Sequence, residues 1–256
     1  MKYSYKLSII LPVYNEKDSL SIMVKILEAT LDFPNEIIVV YDDITDNTID
    51  VAKEMQKVFS NIKLVYNDMG RGAQNAVRKG IEVSKSEIIL ITAVDEIFPI
   101  MAIKEMLELI EQQECDLVSG TRYALGGKRL GGSFVGGMLS RVANMVFRLI
   151  TGHILTDATT GIKMIRKSAF ENLVIESNPI GWAFVFELSI KAQLEGMKLG
   201  EIPLISIDRL FGGNSTFNLG PWFKEYLRWF WWGVKRLSRS NRKQKRVVTL
   251  QKYLRS

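Results

Sequence analysis

The 256-residue sequence contains a single cysteine, Cys115, and a single histidine, His153. One cysteine excludes a disulfide within the chain, and one histidine leaves too few ligands for a zinc site built from Cys and His side chains. Both scarcities are typical of a cytoplasmic enzyme. No stretch approaches the roughly 18 uncharged apolar residues that a membrane-spanning helix requires. The apolar run Leu7–Val13 is too short for a signal peptide, so we expect none.

Positive charge is concentrated at one end of the chain. The net charge is +6, but residues 222–256 hold 11 Lys and Arg residues and one acid, which gives that segment +10 and leaves residues 1–221 at −4. With 47% hydrophobic residues, the longer part can bury a large core. We therefore predict a globular domain over 1–221, followed at 222–256 by a Trp-rich amphipathic helix and a basic tail.

Short apolar runs alternate with helical patterns along the chain. The first predicted strand starts at Leu7 and is broken into a turn by Pro12. Glycine pairs at 126–127 and 131–132 predict a loop. The further predicted strands cover 36–41, 61–66, 88–93, 116–123, 163–166 and 201–208, and the predicted helices cover 20–31, 49–58, 73–83, 101–112, 138–150, 167–173, 183–194 and 222–237. Repeated β-α units with short connections predict an α/β fold with a doubly wound parallel sheet.

Polar or glycine residues follow the first four predicted strands. They are the segment 12–16, Asp42, the segment 70–72, and Asp95 with Glu96. Ligands of open α/β sheets bind beyond the carboxyl ends of the strands, so these residues are expected at one ligand-binding edge. Asp42 can bond a ribose or a base, and the glycines at a helix start admit an anion. The Gly70–Arg71–Gly72 motif is only part of a dinucleotide-binding fingerprint and lies on the third β-α unit of the chain. Both facts disfavour NAD and favour a nucleotide with a metal-bound diphosphate.

The adjacent carboxylates Asp95 and Glu96 are suited to holding a divalent cation. The alternative is a surface turn with two solvated acids.

Nine segments, in order, resemble family-2 glycosyltransferases of the dolichyl-phosphate mannosyltransferase and polyprenyl-phosphate glycosyltransferase kind. They span more than four-fifths of the chain. The resemblance implies a GT-A fold, Rossmann-like with a mostly parallel sheet and flanking helices, and inverting transfer from a nucleotide-diphospho-sugar to a polyprenyl phosphate. The segments read LSIILPVYNE, VVYDDITDNT, GRGAQNAVRKG, ILITAVDE, DLVSGTRYALGG, LSRVANMVFRLI, TDATTGIKM, GWAFVFE and EIPLISIDRLFGGNS.

The resemblance also implies site residues. Asp95 matches the last Asp of the family's metal motif and is expected to act in catalysis with Mg²⁺ or Mn²⁺, with Glu96 as a second ligand, while Ala93 stands where the first Asp is usual. Phosphate binding is implied for Arg122, Ser140 and Arg209, since a guanidinium stays charged and offers paired donors. Binding of the nucleotide-sugar is implied for Pro12, Tyr14, Glu16, Asp42, Gly70, Arg71 and Asp95.

The acceptor decides whether a base is required. A phosphate acceptor is already anionic at neutral pH, whereas a sugar hydroxyl needs a general base, for which Asp157 is the candidate. Asp157 could instead form a turn.

The amphipathic helix at 138–150 carries Leu139 and Val142 on one face and Arg141 on another.

The segment 222–256 combines tryptophan with basic residues, which favours contact with a membrane surface. In the predicted helix, Phe223, Leu227 and Phe230 share an apolar face. The alternative is a helix packed on the body with a disordered basic end. We expect no nucleic-acid partner, because the cluster belongs to no recognised DNA or RNA module. The expected location is cytoplasmic, peripheral on the inner face of the membrane.

Three functions remain open from the sequence: a polyprenyl-phosphate glycosyltransferase, a glycosyltransferase that extends a lipid-linked or surface glycan, and a non-catalytic GT-A domain. The last is motivated by Ala93 and Ile97, which replace polar residues of the family.

Overall fold

A seven-stranded sheet runs through the part of the chain that the computed structural model describes, residues 5–131, 134–207, 219–237 and 246–254. Its strand order is β3-β2-β1-β4-β7-β5-β8, and β6 and β9 form a separate pair. The strands are β1 (Leu7–Val13), β2 (Asn35–Tyr41), β3 (Ile62–Tyr66), β4 (Ile88–Ile91), β5 (Leu117–Thr121), β6 (Lys128–Leu130), β7 (Lys163–Arg166), β8 (Leu199–Pro203) and β9 (Ile205–Ile207).

Helices cover the sheet, and a short 3₁₀ helix, Phe98–Ala102, precedes α4. The α-helices are α1 (Lys17–Thr30), α2 (Thr48–Val58), α3 (Ala73–Val83), α4 (Ile103–Glu111), α5 (Phe134–Thr151), α6 (Lys167–Glu171), α7 (Ala183–Leu194) and α8 (Leu219–Arg236).

Most strand pairs are parallel, as predicted, because β1 to β4 are joined by helical crossovers. The exception is β7, which lies antiparallel between β4 and β5. The sheet is therefore mostly parallel, as the resemblance implied, with β7 as the antiparallel strand. This strand brings the polar turn at 157–162 to the same edge as the ends of β1, β2 and β4.

The central strands are buried on both faces, which explains their uninterrupted apolar runs. Successive residues of a strand point to opposite sides. Ile9, Leu11 and Val39 accordingly belong to the core under α1 and α4. Ile10 and Val40 belong to the core under α3 and α7.

Two local predictions were wrong. Pro12 does not break β1, which continues to Val13 with Pro12 paired to Val40 in the register of a parallel ladder. The predicted strand at 201–208 is two strands, β8 and β9, and β9 pairs with β6 inside the expected loop. The sequence signal for the β6–β9 pair was weak because β6 and β9 have only three residues each.

The helix α8 packs on the body, against α5 and α7, through a core cluster centred on Trp229, whose exposed fraction is 1%. Of the residues predicted to share an apolar face, Phe230 packs against this cluster, whereas Phe223 is 59% exposed. Farther along, Val248 pairs with Gly200 at the edge of β8, so the described part of the basic tail returns to the sheet. Among the described helices, none combines the length and the hydropathy that crossing a membrane would require.

We predict that Gly80→Ala destabilises the fold. A β-carbon built on Gly80 in α3 would lie 2.5 Å from Cγ2 of Ile10, and overpacking a core costs about 1–3 kcal/mol. The control is Gly220→Ala in α8, where nothing lies within 4 Å of the new carbon, so its effect should be neutral or slightly stabilising. Urea unfolding midpoints measure both changes, and a Gly80→Ala variant as stable as the unaltered chain would contradict this packing.

Candidate functional site

The carboxyl end of β2 and the start of α3 meet in a hydrogen-bonded cluster. The backbone N–H of Gly72 donates to Oδ2 of Asp42 over 2.7 Å, and Nη2 of Arg71 donates to Oδ2 of Asp43 over 2.7 Å. The Arg71 guanidinium also lies 5.5 Å from the ring centre of Tyr14. The structure thus brings together Tyr14, Asp42 and Arg71, three members of the predicted nucleotide-sugar-binding set, although their contact with a nucleotide stays a prediction.

Gly70 and Gly72 have backbone conformations that L-residues rarely adopt, with φ values of 94° and 120°. The carbonyl of Gly70 accepts hydrogen bonds from the side chains of Asn67 and Asn75 at 2.7 and 3.1 Å. We call residues 67–72 the donor loop, after the contact with the nucleotide-sugar donor that is predicted for Gly70 and Arg71. Its bonds fix a short glycine turn directly before the N-terminus of α3, where backbone N–H groups attract anions.

The segment that follows β1 is held by the start of α2. Oδ1 of Asp46 accepts from the backbone N–H groups of Asn15 at 3.0 Å and Thr48 at 2.8 Å. The N–H of Glu16 donates to Oγ1 of Thr48 over 2.8 Å. Asp46 therefore caps α2 and fixes the turn that carries Tyr14, which is 45% exposed. Pro12 lies inside β1, and Glu16 accepts a bond from Ser19 at the start of α1.

Asp95 and Glu96 follow β4 and are both partly exposed. Oε1 of Glu96 accepts a hydrogen bond from the Ser206 hydroxyl in β9 over 3.0 Å. No group of three or more Asp, Glu, His or Cys side chains that could hold a metal occurs in the described ranges. The two carboxylates still suit Mg²⁺ or Mn²⁺, since such ions often use one or two carboxylates and take their other ligands from substrate phosphates and water.

The most buried charged pair of the site joins Arg122, just after β5, to Asp157, just before β7. Nε of Arg122 lies 2.6 Å from Oδ2 of Asp157, and Nη2 lies 3.0 Å from Oδ1. The Asp157 side chain is fully buried, whereas that of Arg122 is 14% exposed. Burial acts to raise the pKa of Asp157, but the charge and hydrogen bonds of Arg122 outweigh burial and lower it. Asp157 is thus an anion with both oxygens engaged.

Residues of α5 hold this pair from the other side. Asn144 donates to Oγ1 of Thr159 over 3.0 Å and accepts from the N–H of Ala158 over 2.9 Å. Thr159 in turn donates to Asp157 over 3.0 Å. Ser140 accepts a hydrogen bond from the Tyr123 hydroxyl over 2.8 Å. Sequence reasoning missed Asn144 and Thr159. A lone polar residue in an amphipathic helix, such as Asn144, gives no signal of its partner, and here that partner is a threonine in a distant turn. Arg209 lies outside the described residues.

Two further buried ionisable residues, Lys163 and Glu201, lie near Asp157. Nζ of Lys163 donates to the Ser119 hydroxyl over 2.6 Å, and Glu201 accepts from both the N–H and the hydroxyl of Thr156. Burial lowers the pKa of Lys163 to about 7 and raises the pKa of Glu201. The floor of the site therefore contains an ammonium group that titrates near neutral pH.

We predict that Lys163 makes stability increase with pH above 7. Between pH 7 and about 10, the unfolded chain keeps a proton on this lysine that the folded chain releases, so raising the pH favours folding. Relative to Lys163→Met, the unfolding free energy of the unaltered chain should rise by about 1 kcal/mol per pH unit between pH 7 and 9. Urea unfolding at several pH values measures this, and parallel curves for the two proteins would contradict it.

Comparisons with known proteins give similar sequences over most of the chain. A dolichol-phosphate mannosyltransferase of Pyrococcus furiosus is 30% identical over 226 residues, 87% of this chain and 62% of that protein. A dolichyl-phosphate beta-glucosyltransferase, ALG5D, of Trichomonas vaginalis is 27% identical over 76% of this chain and 64% of its own length. Glycosyltransferase AglD of Haloferax volcanii is 24% identical over 78% of this chain and 32% of its own length. The chain spans less than two-thirds of each of these curated relatives.

Solved structures show the fold. Glucosyl-3-phosphoglycerate synthase of Mycobacterium tuberculosis, in complex with Mn²⁺, UDP-glucose and phosphoglyceric acid, aligns with a TM-score of 0.69 and 16% identity over 96% of this chain and 89% of that one. Its complex with Mg²⁺ and UDP aligns with a TM-score of 0.68 and 16% identity over 92% and 82%. The chain therefore has the predicted GT-A fold. The sequence model described as glycosyl transferase family 2 matches residues 8–174, well over half of the chain, and the chain belongs to that family.

Proposed function

We propose that the chain is an inverting glycosyltransferase that moves a sugar from a nucleotide-diphospho-sugar to a polyprenyl-phosphate-type acceptor at a membrane surface. Membership of glycosyl transferase family 2 supports the transfer reaction. Two relatives whose names contain dolichol-phosphate or dolichyl-phosphate support this class of acceptor.

The observation that carries the choice of acceptor is the buried pair of Arg122 and Asp157. A sugar hydroxyl would need a base, yet Asp157, the candidate base, is fully buried with both oxygens bonded to Arg122. A phosphate needs no base because it is already anionic, and the partly exposed Arg122 offers a fixed cation to bind it. We infer that Asp157 positions Arg122 instead of accepting a proton.

We assign the nucleotide-sugar donor to the ends of β1 and β2 and the start of α3. Tyr14 and Asp42 would contact the base and ribose, and the donor loop with Arg71 would contact the diphosphate, since a loop of backbone N–H groups before a helix attracts anions. Pro12 and Glu16 would shape the turn beneath the nucleotide.

Asp95, with Glu96 as a second ligand, would hold Mg²⁺ or Mn²⁺ against the donor diphosphate. When bound, such an ion neutralises the negative charge of the leaving nucleotide.

The transfer is a single displacement. An oxygen of the acceptor phosphate, oriented by Arg122 and Ser140, attacks the anomeric carbon of the sugar from the face opposite the diphosphate. The new carbon–oxygen bond forms as the bond to the diphosphate oxygen breaks, and the nucleoside diphosphate leaves with the electron pair. Attack from the opposite face inverts the configuration, and no proton has to be removed from the acceptor.

The overall reaction is tested by incubating the full chain with radiolabelled UDP-, GDP- and CMP-sugars, Mn²⁺ and either polyprenyl phosphate or a lipid-linked saccharide. We expect label in the polyprenyl phosphate product. Label only in the saccharide would favour the glycan-extending alternative, and nucleotide binding without any transfer would favour a non-catalytic domain.

We predict that Arg122→Lys raises the KM for polyprenyl phosphate by about 10- to 100-fold. Lysine cannot bond both oxygens of Asp157 while it contacts the acceptor, and a hydrogen bond to a charged group contributes about 1.5–3 kcal/mol. The matched control is Arg78→Lys at an exposed position of α3. An unchanged acceptor KM in Arg122→Lys would count against this assignment.

The membrane surface is proposed to contact α5 and α8. The outward face of α5 is apolar, and its side chains are 45–63% exposed although they are large and hydrophobic. Such a patch on a soluble surface marks an interaction site. These residues of α5 are Met138, Leu139, Val142, Met145, Leu149 and Ile150.

Charge favours a lipid bilayer as the partner of this patch. Arg141 and Arg148 flank the apolar face of α5, and both are exposed. On α8, Phe223 and Trp231 are exposed, and basic side chains of the same helix, including that of Lys235, are exposed as well. Apolar side chains among cations fit the interface of an anionic membrane.

We predict that Leu149→Glu lowers binding to anionic liposomes by roughly tenfold or more, because burying a leucine contributes about 1.5–3 kcal/mol. The control is Val58→Glu, since Val58 at the end of α2 is 69% exposed and outside the proposed surface. Flotation at low salt measures the bound fraction. Equal flotation of Leu149→Glu and the control would exclude α5 from the contact.

A further inference from the structure

The loop between α6 and α7, residues 172–182, touches both the donor loop and α8. A β-carbon built on Gly72 would lie 2.3 Å from the carbonyl oxygen of Pro179. The backbone of Pro179 therefore packs directly on Gly72, whose N–H is held by Asp42. This close approach, together with the positive φ, explains why position 72 is glycine.

The same loop is tied to α8 one residue earlier, at Asn178. Oε1 of Glu225 accepts from the backbone N–H of Asn178 over 3.0 Å, and Oε2 accepts from its side-chain amide over 2.9 Å. Glu225 is only 5% exposed and also accepts from Nε1 of Trp229 over 3.1 Å. Trp222, also on α8, packs against Gly181, where a β-carbon would lie 2.3 Å from the indole ring.

The two residues just before Asn178 are fixed by α7. Glu187, which is fully buried, accepts from the backbone N–H groups of Glu176 and Ser177 at 2.6 and 2.7 Å and from the Ser177 hydroxyl at 2.6 Å. With residues 176–177 anchored by Glu187 and Asn178 anchored by Glu225, the adjacent Pro179 has little freedom. Its carbonyl is thereby held against the donor loop.

We propose that Glu225 is a positioning residue for the donor site: through Asn178 and Pro179 it sets the place of Gly72 and hence the affinity for the nucleoside diphosphate. This inference rests on the proposed function, which assigns the donor loop to the diphosphate. Under this proposal, the two sides of α8 have different roles. The exposed side faces the membrane, and the buried side holds the loop that supports the donor.

The experiment exchanges the carboxylate at position 225 with the amide at position 178. Glu225→Gln places an amide NH₂ against the NH₂ of Asn178, and Asn178→Asp places two carboxylates together. In the double variant, the side-chain amide at position 225 donates to the carboxylate at position 178, so the hydrogen bond between the two side chains is restored with its direction reversed, while the carbonyl oxygen at position 225 still accepts from the backbone N–H of position 178. The control is Glu171→Gln at an exposed position of α6.

Isothermal titration with UDP and GDP in the presence of Mn²⁺ measures the dissociation constant of the full chain. We expect each single variant to weaken binding of the preferred nucleotide by about tenfold, as expected for loss of the hydrogen bond between the two side chains, and the double variant to return to within about threefold. The ion pair between Arg228 and Glu225, which Glu225→Gln also removes, is half exposed at Arg228 and therefore contributes little. The donor KM should change in the same pattern, with kcat at saturating donor unchanged. A purely structural role would lower the melting temperature without this rescue of affinity.

Three results would overturn the inference, and only the last of them would also overturn the proposed function. If the unaltered chain binds a nucleotide and Glu225→Gln binds it equally well, or if the double variant is not rescued, Glu225 does not position the donor site and the proposed function stands. If the unaltered chain binds neither UDP nor GDP, nor CMP in a repeat titration, the proposed function fails together with the inference.

Discussion

The buried ion pair of Arg122 and Asp157 is the interaction on which the arrangement of the site depends. It joins the end of β5 to the turn before β7, two segments that come together only because β7 enters the sheet antiparallel. A charge buried without a partner would be strongly destabilising, so the pair fixes both segments. It also leaves a cation at the edge of the sheet with its position set by the fold. An anionic acceptor matches that cation, whereas a neutral hydroxyl would gain little from it.

The two helices proposed to face the membrane also support the site with their inner sides. On α5, Asn144 holds the turn that carries Asp157, while Leu149 on the outer side is exposed. On α8, Glu225 holds Asn178, while Trp231 on the outer side is exposed. Each helix thus joins a surface that we propose to contact lipid with residues that we propose to position one substrate.

Much of the fold was predictable because strand ends carry strong local signals. Buried apolar runs followed by Asp or Gly located β2, β4 and the start of α3, and the bounds of α3 and α7 were predicted without error. The insertion of β7 and the burial of Asp157 were not predictable, since both depend on contacts between distant segments. Helical periodicity correctly grouped the apolar residues of α5 but carried no information on whether that group faces the core or solvent.

The most direct test of the account is the steady-state kinetics of Asp157→Asn with polyprenyl phosphate as acceptor. If Asp157 positions Arg122, the variant should raise the acceptor KM by about 10- to 100-fold, as expected for a weakened charged hydrogen bond, and keep most of its kcat at saturating acceptor. A general base would behave differently, with kcat falling by about 10²- to 10⁴-fold while the acceptor KM stays unchanged. That second result would contradict the assignment of an anionic acceptor bound by Arg122.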